Sequence, residues 1–175
     1  MSELRTNRIV PRDGLVSGTG VGGGIIQIKS STKTGRQEST SATFADVSDM
    51  SVSITPTRSD SKIYIAVNTH VGGVAAAYIG FKVLRGSTVV TQGTHPTGNR
   101  TPVTFGGRID QDYDNYMMAF NFLDSPGSTS STTYKVQFAS IWSSRKVVIN
   151  GTGDDANQGY TLSGTSTITV MEVSG

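Results

Sequence analysis

Short runs of alternating apolar and polar residues, separated by turn residues, follow one another along most of this chain. In the run KIYIAVNTH, Ile63, Ile65 and Val67 fall on one face, and the residues between them fall on the other. A side-chain period of two is typical of a half-buried β-strand, and clusters of Gly, Pro and Ser bound the runs as turns do. The pattern predicts an all-β protein.

About nine or ten such strands follow one another at a spacing of roughly 8–12 residues, which is typical of a sandwich or jelly roll. Tight hairpins are expected about residues 85–87 and 143–145. The stretches VGGVAAAYIG and NYMMAFNFL could pass for helices, but glycines bracket the first and the second has no good cap. We therefore expect both to be strands of an antiparallel β-sandwich or jelly-roll-like domain.

The composition agrees with one β-rich domain and excludes several classes of function. Ser and Thr make up about a quarter of the 175 residues, Cys is absent, and the net charge is only +2. Without cysteine there are no disulfides and no thiolate chemistry. The weak, mixed charge argues against nucleic-acid binding, and no run approaches the ~18 apolar residues that membrane insertion needs.

The first 24 residues differ from the remainder because they contain the glycine-rich segment SGTGVGGG. Ordering so many glycines costs much backbone entropy, so we expect residues 1–24 to form an extended attachment arm and residues 25–175 to form the β-sandwich. Residues 18–23 also spell the dinucleotide-binding motif GxGxxG. No buried strand precedes them and no helix follows, so no cofactor is expected there.

The segment DQDYD at residues 110–114 has the alternating carboxylates of a calcium loop. An EF-hand loop needs Gly at its sixth position and Glu at its twelfth, where this chain has Asn115 and Asn121. A solvated loop is the favoured interpretation, and a weak cation site shared between subunits is the alternative.

No residue pattern predicts an active site. Adjacent Asp154 and Asp155 are unlike a glycosidase pair, whose carboxylates face each other across the substrate. His70 and His95 have no acidic or Ser partner at a recognisable spacing.

Most aromatic residues alternate at strand spacing and are expected in the core, whereas Tyr113 is expected to be exposed. The candidate contact loops carry Asp112, Tyr113, Asp114, Asp154 and Asp155.

Several phrases together resemble one family: LRTNRIVPRDG, GGIIQ, SITPTRSDSKIYIAV, KVLRGSTVVTQG, FLDSP followed by TTYKVQF, and the closing STITVMEV. The chain resembles the small fibre-like structural proteins of tailed bacteriophages, especially those of marine and cyanobacterial hosts. The resemblance implies a homotrimer of β-sandwich domains that attaches to other virion proteins by its N-terminal end. It assigns attachment to the residues of the opening phrase, namely Leu4, Arg5, Asn7, Ile9 and Pro11.

The resemblance leaves the position on the particle open, because no shaft separates the arm from the body. We expect a non-enzymatic virion protein, made in the host cytoplasm and placed as a short tail fibre or tail-associated protein. Its exposed loops would contact a host-surface glycan or receptor. A capsid decoration or head-fibre protein is the first alternative. A free carbohydrate-binding module and a depolymerase are the others, and a monomer in solution would favour the module.

Overall fold

The structure is a computed structural model that describes residues 24–95, 98–142 and 144–174. These residues form eleven β-strands and no helix, so no helix in the described part is long and apolar enough to cross a membrane. The strands are β1 (Ile25–Lys33), β2 (Gln37–Ser39), β3 (Ala45–Ile54), β4 (Lys62–Gly73), β5 (Ala77–Arg85), β6 (Thr88–Val89), β7 (Phe105–Ile109), β8 (Asn115–Asp124), β9 (Thr132–Ser140), β10 (Val147–Ile149) and β11 (Ser166–Val173).

The strands form two antiparallel sheets that face each other. The first sheet has the order β1-β11-β4-β8, and the short strands β10 and β2 continue it beside the end of β4. The second has the order β3-β9-β5-β7, and β6 pairs with the other end of β5. The long strands pair in nested order, β1 with β11, β3 with β9, β4 with β8 and β5 with β7. This nesting is the topology of a jelly roll, which confirms the predicted fold class.

Alternation along the strands builds the core between the sheets. Ile63, Ile65 and Val67 of β4 are all fully buried, as the sequence pattern predicts. On the second sheet, Phe81 stacks on Phe105 with ring centroids 4.5 Å apart. Each inward strand face therefore contributes a row of apolar side chains, and burial of these rows supplies most of the driving force for folding.

A buried polar group also links the two sheets. Asp124 of β8 accepts hydrogen bonds from Tyr134 Oη (2.6 Å) and Arg85 Nη1 (2.8 and 2.9 Å), and both donors belong to the second sheet. Burial, followed by this hydrogen bond, raises the pKa of Tyr134 far above its ordinary value. Because all three side chains have partners, the group fixes how the sheets meet without leaving a buried charge unpaired.

The sandwich has two distinct ends. Both ends of the described chain lie at one of them, since the amide of Ser174 donates to the carbonyl of Gly24. This terminal end also carries the loops of residues 55–61 and 125–131. The opposite end, called here the loop end, carries the loops of residues 34–36, 40–44, 74–76, 110–114 and 150–165. At about 3.3 Å per residue, the length of β4 places the two ends roughly 35–40 Å apart.

Two local predictions were wrong. Residues 143–145 do not form a hairpin, because β9 belongs to the second sheet whereas β10 pairs with β2 and β4 in the first. The stretch VGGVAAAYIG is not one strand: β4 ends within it at Gly73, and a turn with Ala76 at φ 58° leads into β5. The predicted arm, apart from Gly24, lies outside the described residues.

Candidate functional site

The two acidic loops predicted as contact regions lie side by side at the loop end. The backbone carbonyl of Asp112 accepts hydrogen bonds from the amides of Gly153 (2.7 Å) and Asp154 (3.2 Å). The sequence did not predict this contact, because it depends on β7 and β10, which are distant in sequence, ending at the same end of the sandwich. The loops therefore present one continuous surface.

Two of the five candidate side chains hold this surface in shape. Asp112 Oδ1 accepts the amide of Ala75 at 2.6 Å, which ties its loop to the β4–β5 turn. Asp114 Oδ2 accepts the amide of Gln111 at 2.9 Å and the hydroxyl of Tyr116 at 2.7 Å. The hydrogen bond to Asp114 raises the pKa of Tyr116. These carboxylates are thus occupied within the protein.

The other three candidates are more available to a partner. Tyr113 has 56% of its surface exposed and makes an edge-on contact with the ring of Tyr160. Asp154 accepts the hydroxyl of Thr152 at 3.1 Å, and Asp155 lies 3.4 Å from Arg36 Nε. The loop end therefore offers exposed aromatic rings beside carboxylates.

The predicted cation alternative gains no geometric support. Across residues 24–95, 98–142 and 144–174, no group of three or more His, Asp or Glu side chains is arranged to hold a metal ion. His70 packs its ring against Gly164, and burial lowers its pKa. His95 Nδ1 lies 3.3 Å from Arg100 Nη1.

Sequence reasoning missed a groove on the outer face of the second sheet, beside the loop end. Trp142, although most aromatic residues were expected in the core, is 65% exposed at its rim. The strand pattern fails there because β9 ends at Ser140. The available signal was the glycine content of two neighbouring strands, at Gly80 and Gly106.

An apolar row crosses the outer face of the first sheet. The register aligns Ile28 of β1, Met171 of β11, Tyr64 of β4 and Leu123 of β8. Ile28 is 54% exposed and Leu123 is 51% exposed. Met171 and Tyr64 between them are partly buried, and a contiguous apolar row of this kind is typical of a surface that another protein covers.

The residues that the resemblance assigns to attachment, Leu4, Arg5, Asn7, Ile9 and Pro11, lie outside the described residues. Their predicted role stays a prediction.

No protein-family model matches this chain, and no curated protein matches it. Among solved structures, the chain is similar to one in the structure of infectious bursal disease virus Gx strain, with 12% identity and a TM-score of 0.42. The match covers 97% of this chain and 44% of that one, so the chain spans less than half the length of the viral chain. A likeness at this level assigns neither a family nor a function, and the resemblance to tailed-phage proteins stays a prediction.

Proposed function

We propose that the protein is a non-enzymatic structural component of a virion, attached through its N-terminal arm and displaying its loop end outward. The observation that carries the proposal is that the chain's attachment side and its candidate contact loops lie at opposite ends of the jelly roll. Gly24, the last residue of the predicted arm, lies at the terminal end, whereas all five candidate contact residues lie at the loop end. A protein anchored at one end would hold the other roughly 35–40 Å from the attachment point.

The architecture also supports a structural role. Jelly rolls recur in viral capsid proteins and in lectins, two classes that act through surface contacts. That recurrence is an analogy of fold, so the placement of the arm and the contact loops at opposite ends of the sandwich carries more weight. The acidic side chains at the loop end mostly bond to the protein's own backbone and hydroxyl groups. This arrangement favours display over catalysis.

The proposed assembly is a homotrimer, a number taken from the resemblance to phage fibre proteins. The apolar row from Ile28 to Leu123 supports self-association, because a second copy could cover it. In a trimer, weak contacts at three loop ends would add through multivalency. Short tail fibre and capsid decoration remain the two placements, and the number of copies per particle separates them.

The proposed orientation, with the loop end facing outward, is tested by single-cysteine labelling, since the sequence contains no cysteine. Gln158→Cys places a thiol on an exposed residue of the loop end, and Thr129→Cys places one at the terminal end. On purified particles from the source of this sequence, a maleimide-linked gold particle should label Gln158→Cys and spare Thr129→Cys. Both variants should react equally when the protein is free in solution.

The result overturns the proposal if Thr129→Cys is labelled on particles and Gln158→Cys is protected. Absence of the protein from particles would likewise refute a virion role. Equal labelling of both sites together with a monomeric solution mass would favour the free binding module.

Self-association is tested with a charge placed in the apolar row. Leu123→Asp should reduce the mass measured by light scattering from trimer to monomer, because a carboxylate in an apolar interface lacks a partner. Asn121→Asp adds the same charge two residues away on the same strand face and should leave the mass unchanged. Equal masses for wild type and Leu123→Asp would show that this row is not the interface.

A further inference from the structure

The groove on the outer face of the second sheet has a volume of about 740 Å³, within the usual range for a ligand site. Two glycines line it as register partners on neighbouring strands, Gly80 of β5 and Gly106 of β7. The side chains of Val103 and Ile141 pack directly over Gly80, so they form the apolar floor of the groove together with the glycine backbone. A Cβ at Gly106 would overlap the carbonyl oxygen of Ile79, so the strand itself keeps this position open.

Aromatic and cationic side chains flank the floor. Tyr78 and Arg108 are register partners beside the glycine pair, and the guanidinium carbon of Arg108 lies 5.9 Å from the Tyr78 ring centroid. On the β9 side, the amide of Ile141 donates to the carbonyl of Tyr78 at 2.8 Å. This bond fixes the backbone immediately before Trp142. Trp142 therefore directly follows a residue that is hydrogen-bonded to the sheet.

The charge of the lining is one-sided. The described residues that line the groove include Arg100 and Arg108 and no carboxylate. The salt-bridge partner of Arg108, Asp110 at 2.5 Å, lies outside the lining. Arg108 is already in that salt bridge, so a ligand carboxylate would share its guanidinium group, whose donors bind carboxylates with well-defined geometry.

We propose that this groove binds an acidic sugar, with a pyranose ring stacked on Trp142 and the sugar carboxylate paired with Arg108. A pyranose has an apolar C–H face, which can stack on an aromatic ring, and a rim of hydroxyl groups, which can bond to polar donors beside that ring. The position of the groove near the loop end would expose it to a cell surface. The proposal rests on the proposed function for its biological role, but the binding itself is a property of the isolated protein.

Trp142 is the only tryptophan of the chain, so its fluorescence reports on the groove directly. The probes are tetragalacturonate and its fully methyl-esterified form, which keeps the rings and removes the charges. We expect tetragalacturonate to change the Trp142 emission with a dissociation constant of about 1 mM per site, and the ester to bind about tenfold more weakly. Added salt should weaken only the acidic probe.

Two matched pairs of variants locate the site by calorimetry. Trp142→Ala should weaken tetragalacturonate binding about tenfold, whereas Tyr160→Ala removes an equally exposed aromatic ring outside the groove and should change nothing. Arg108→Gln should abolish the preference for the acid over its ester. Arg58→Gln breaks a comparable surface ion pair, with Asp60, and should preserve that preference.

Three results would overturn the inference. The first is no binding of tetragalacturonate at about 10 mM, where a 1 mM site would be about 90% occupied. The second is tetragalacturonate binding that is unchanged in Trp142→Ala, or equal affinity for tetragalacturonate and its methyl ester. The third is dissociation of the oligomer by Trp142→Ala, which would show that a second copy covers the groove. None of these results bears on labelling of particles, so the proposed function and this inference fail separately.

Discussion

Replacing Tyr134 with phenylalanine removes one hydroxyl from the buried link between the sheets and keeps the ring. The hydroxyl donates to Asp124 at 2.6 Å, and Tyr134 is fully buried. A hydrogen bond to a charged group contributes about 1.5–3 kcal/mol. Asp124 keeps its contacts with Arg85 in the variant, so the loss should stay within that range instead of reaching the cost of an unpaired buried charge. For a domain of this size the melting temperature should fall by roughly 3–12 °C.

The assay is urea unfolding followed by circular dichroism, at one fixed protein concentration because the protein is proposed to self-associate. Tyr116→Phe is the matched control: its hydroxyl also donates to an aspartate, Asp114 at 2.7 Å, but at an exposed site. We expect the control to leave the unfolding midpoint unchanged, since exposed polar pairs contribute little. Equal midpoints for wild type and Tyr134→Phe would refute the assignment of this group as a stabilising link.

Three further predictions concern the core, a buried carboxylate and a close backbone contact. Ile65→Asp puts an unpaired charge at a fully buried position and should cost several kcal/mol of a total of about 5–15, so circular dichroism should show an unfolded chain; melting like wild type would contradict the register of β4. Burial raises the pKa of Glu172, but hydrogen bonds led by Gln27 lower it to about 2 overall, so its stabilisation is complete above the ordinary value of 4.5 and is lost as the pH falls towards 2. As the pH is lowered between these values, the urea midpoint of wild type should fall, and that of Glu172→Gln should change less. Identical pH profiles would show that this carboxylate does not cause the pH dependence of stability. Gly153→Ala should lower the free energy of unfolding by about 1–3 kcal/mol, because its Cβ would overlap a backbone carbonyl. The control is Gly159→Ala, whose Cβ would meet no atom within 4 Å; equal urea midpoints for the two variants would refute this close packing.

Strands with one buried face were predictable from the sequence. Residues Ser166–Val173 alternate strictly between buried and partly exposed positions, so the period of two identifies β11 without any knowledge of its partners. By contrast, all three residues of β10, Val147–Ile149, are buried. A strand buried on both faces has no alternation, and this is why its placement in the first sheet was missed.

The nested strand pairing and the groove could not be predicted from local sequence patterns. Pairing of β1 with β11 joins residues nearly the whole chain apart, and short-range patterns carry no information about such partners. The groove needs Gly80 and Gly106 to be register neighbours and needs Trp142 to leave the strand path after Ser140. Each is a consequence of tertiary pairing. Exposure of Tyr113 in a polar loop was predictable because its neighbours are acidic and lie between strands.

The division into arm and body makes a last prediction, that a chain without residues 1–24 still folds. The contact that Gly24 makes with the described body is one long backbone hydrogen bond, 3.4 Å from the amide of Ser174, and no heavy atom lies within 4 Å of where its Cβ would be. Among the described residues the buried apolar core extends from Val47 to Val170, and we expect the truncation to leave this core intact. The melting temperature and circular dichroism spectrum should match the full chain, and incorporation into particles should be lost.

Removing residues 1–33 provides the contrast, because it also deletes β1. That strand pairs with β11 over almost its whole length, and Gln27 Nε2 donates to buried Glu172 at 2.6 Å. Without β1, β11 becomes an exposed sheet edge and Glu172 loses a donor, so this variant should aggregate or melt well below the full chain. If removal of residues 1–24 unfolds the protein as thoroughly as removal of residues 1–33, the first 24 residues belong to the folding unit, and an arm that serves attachment alone is refuted.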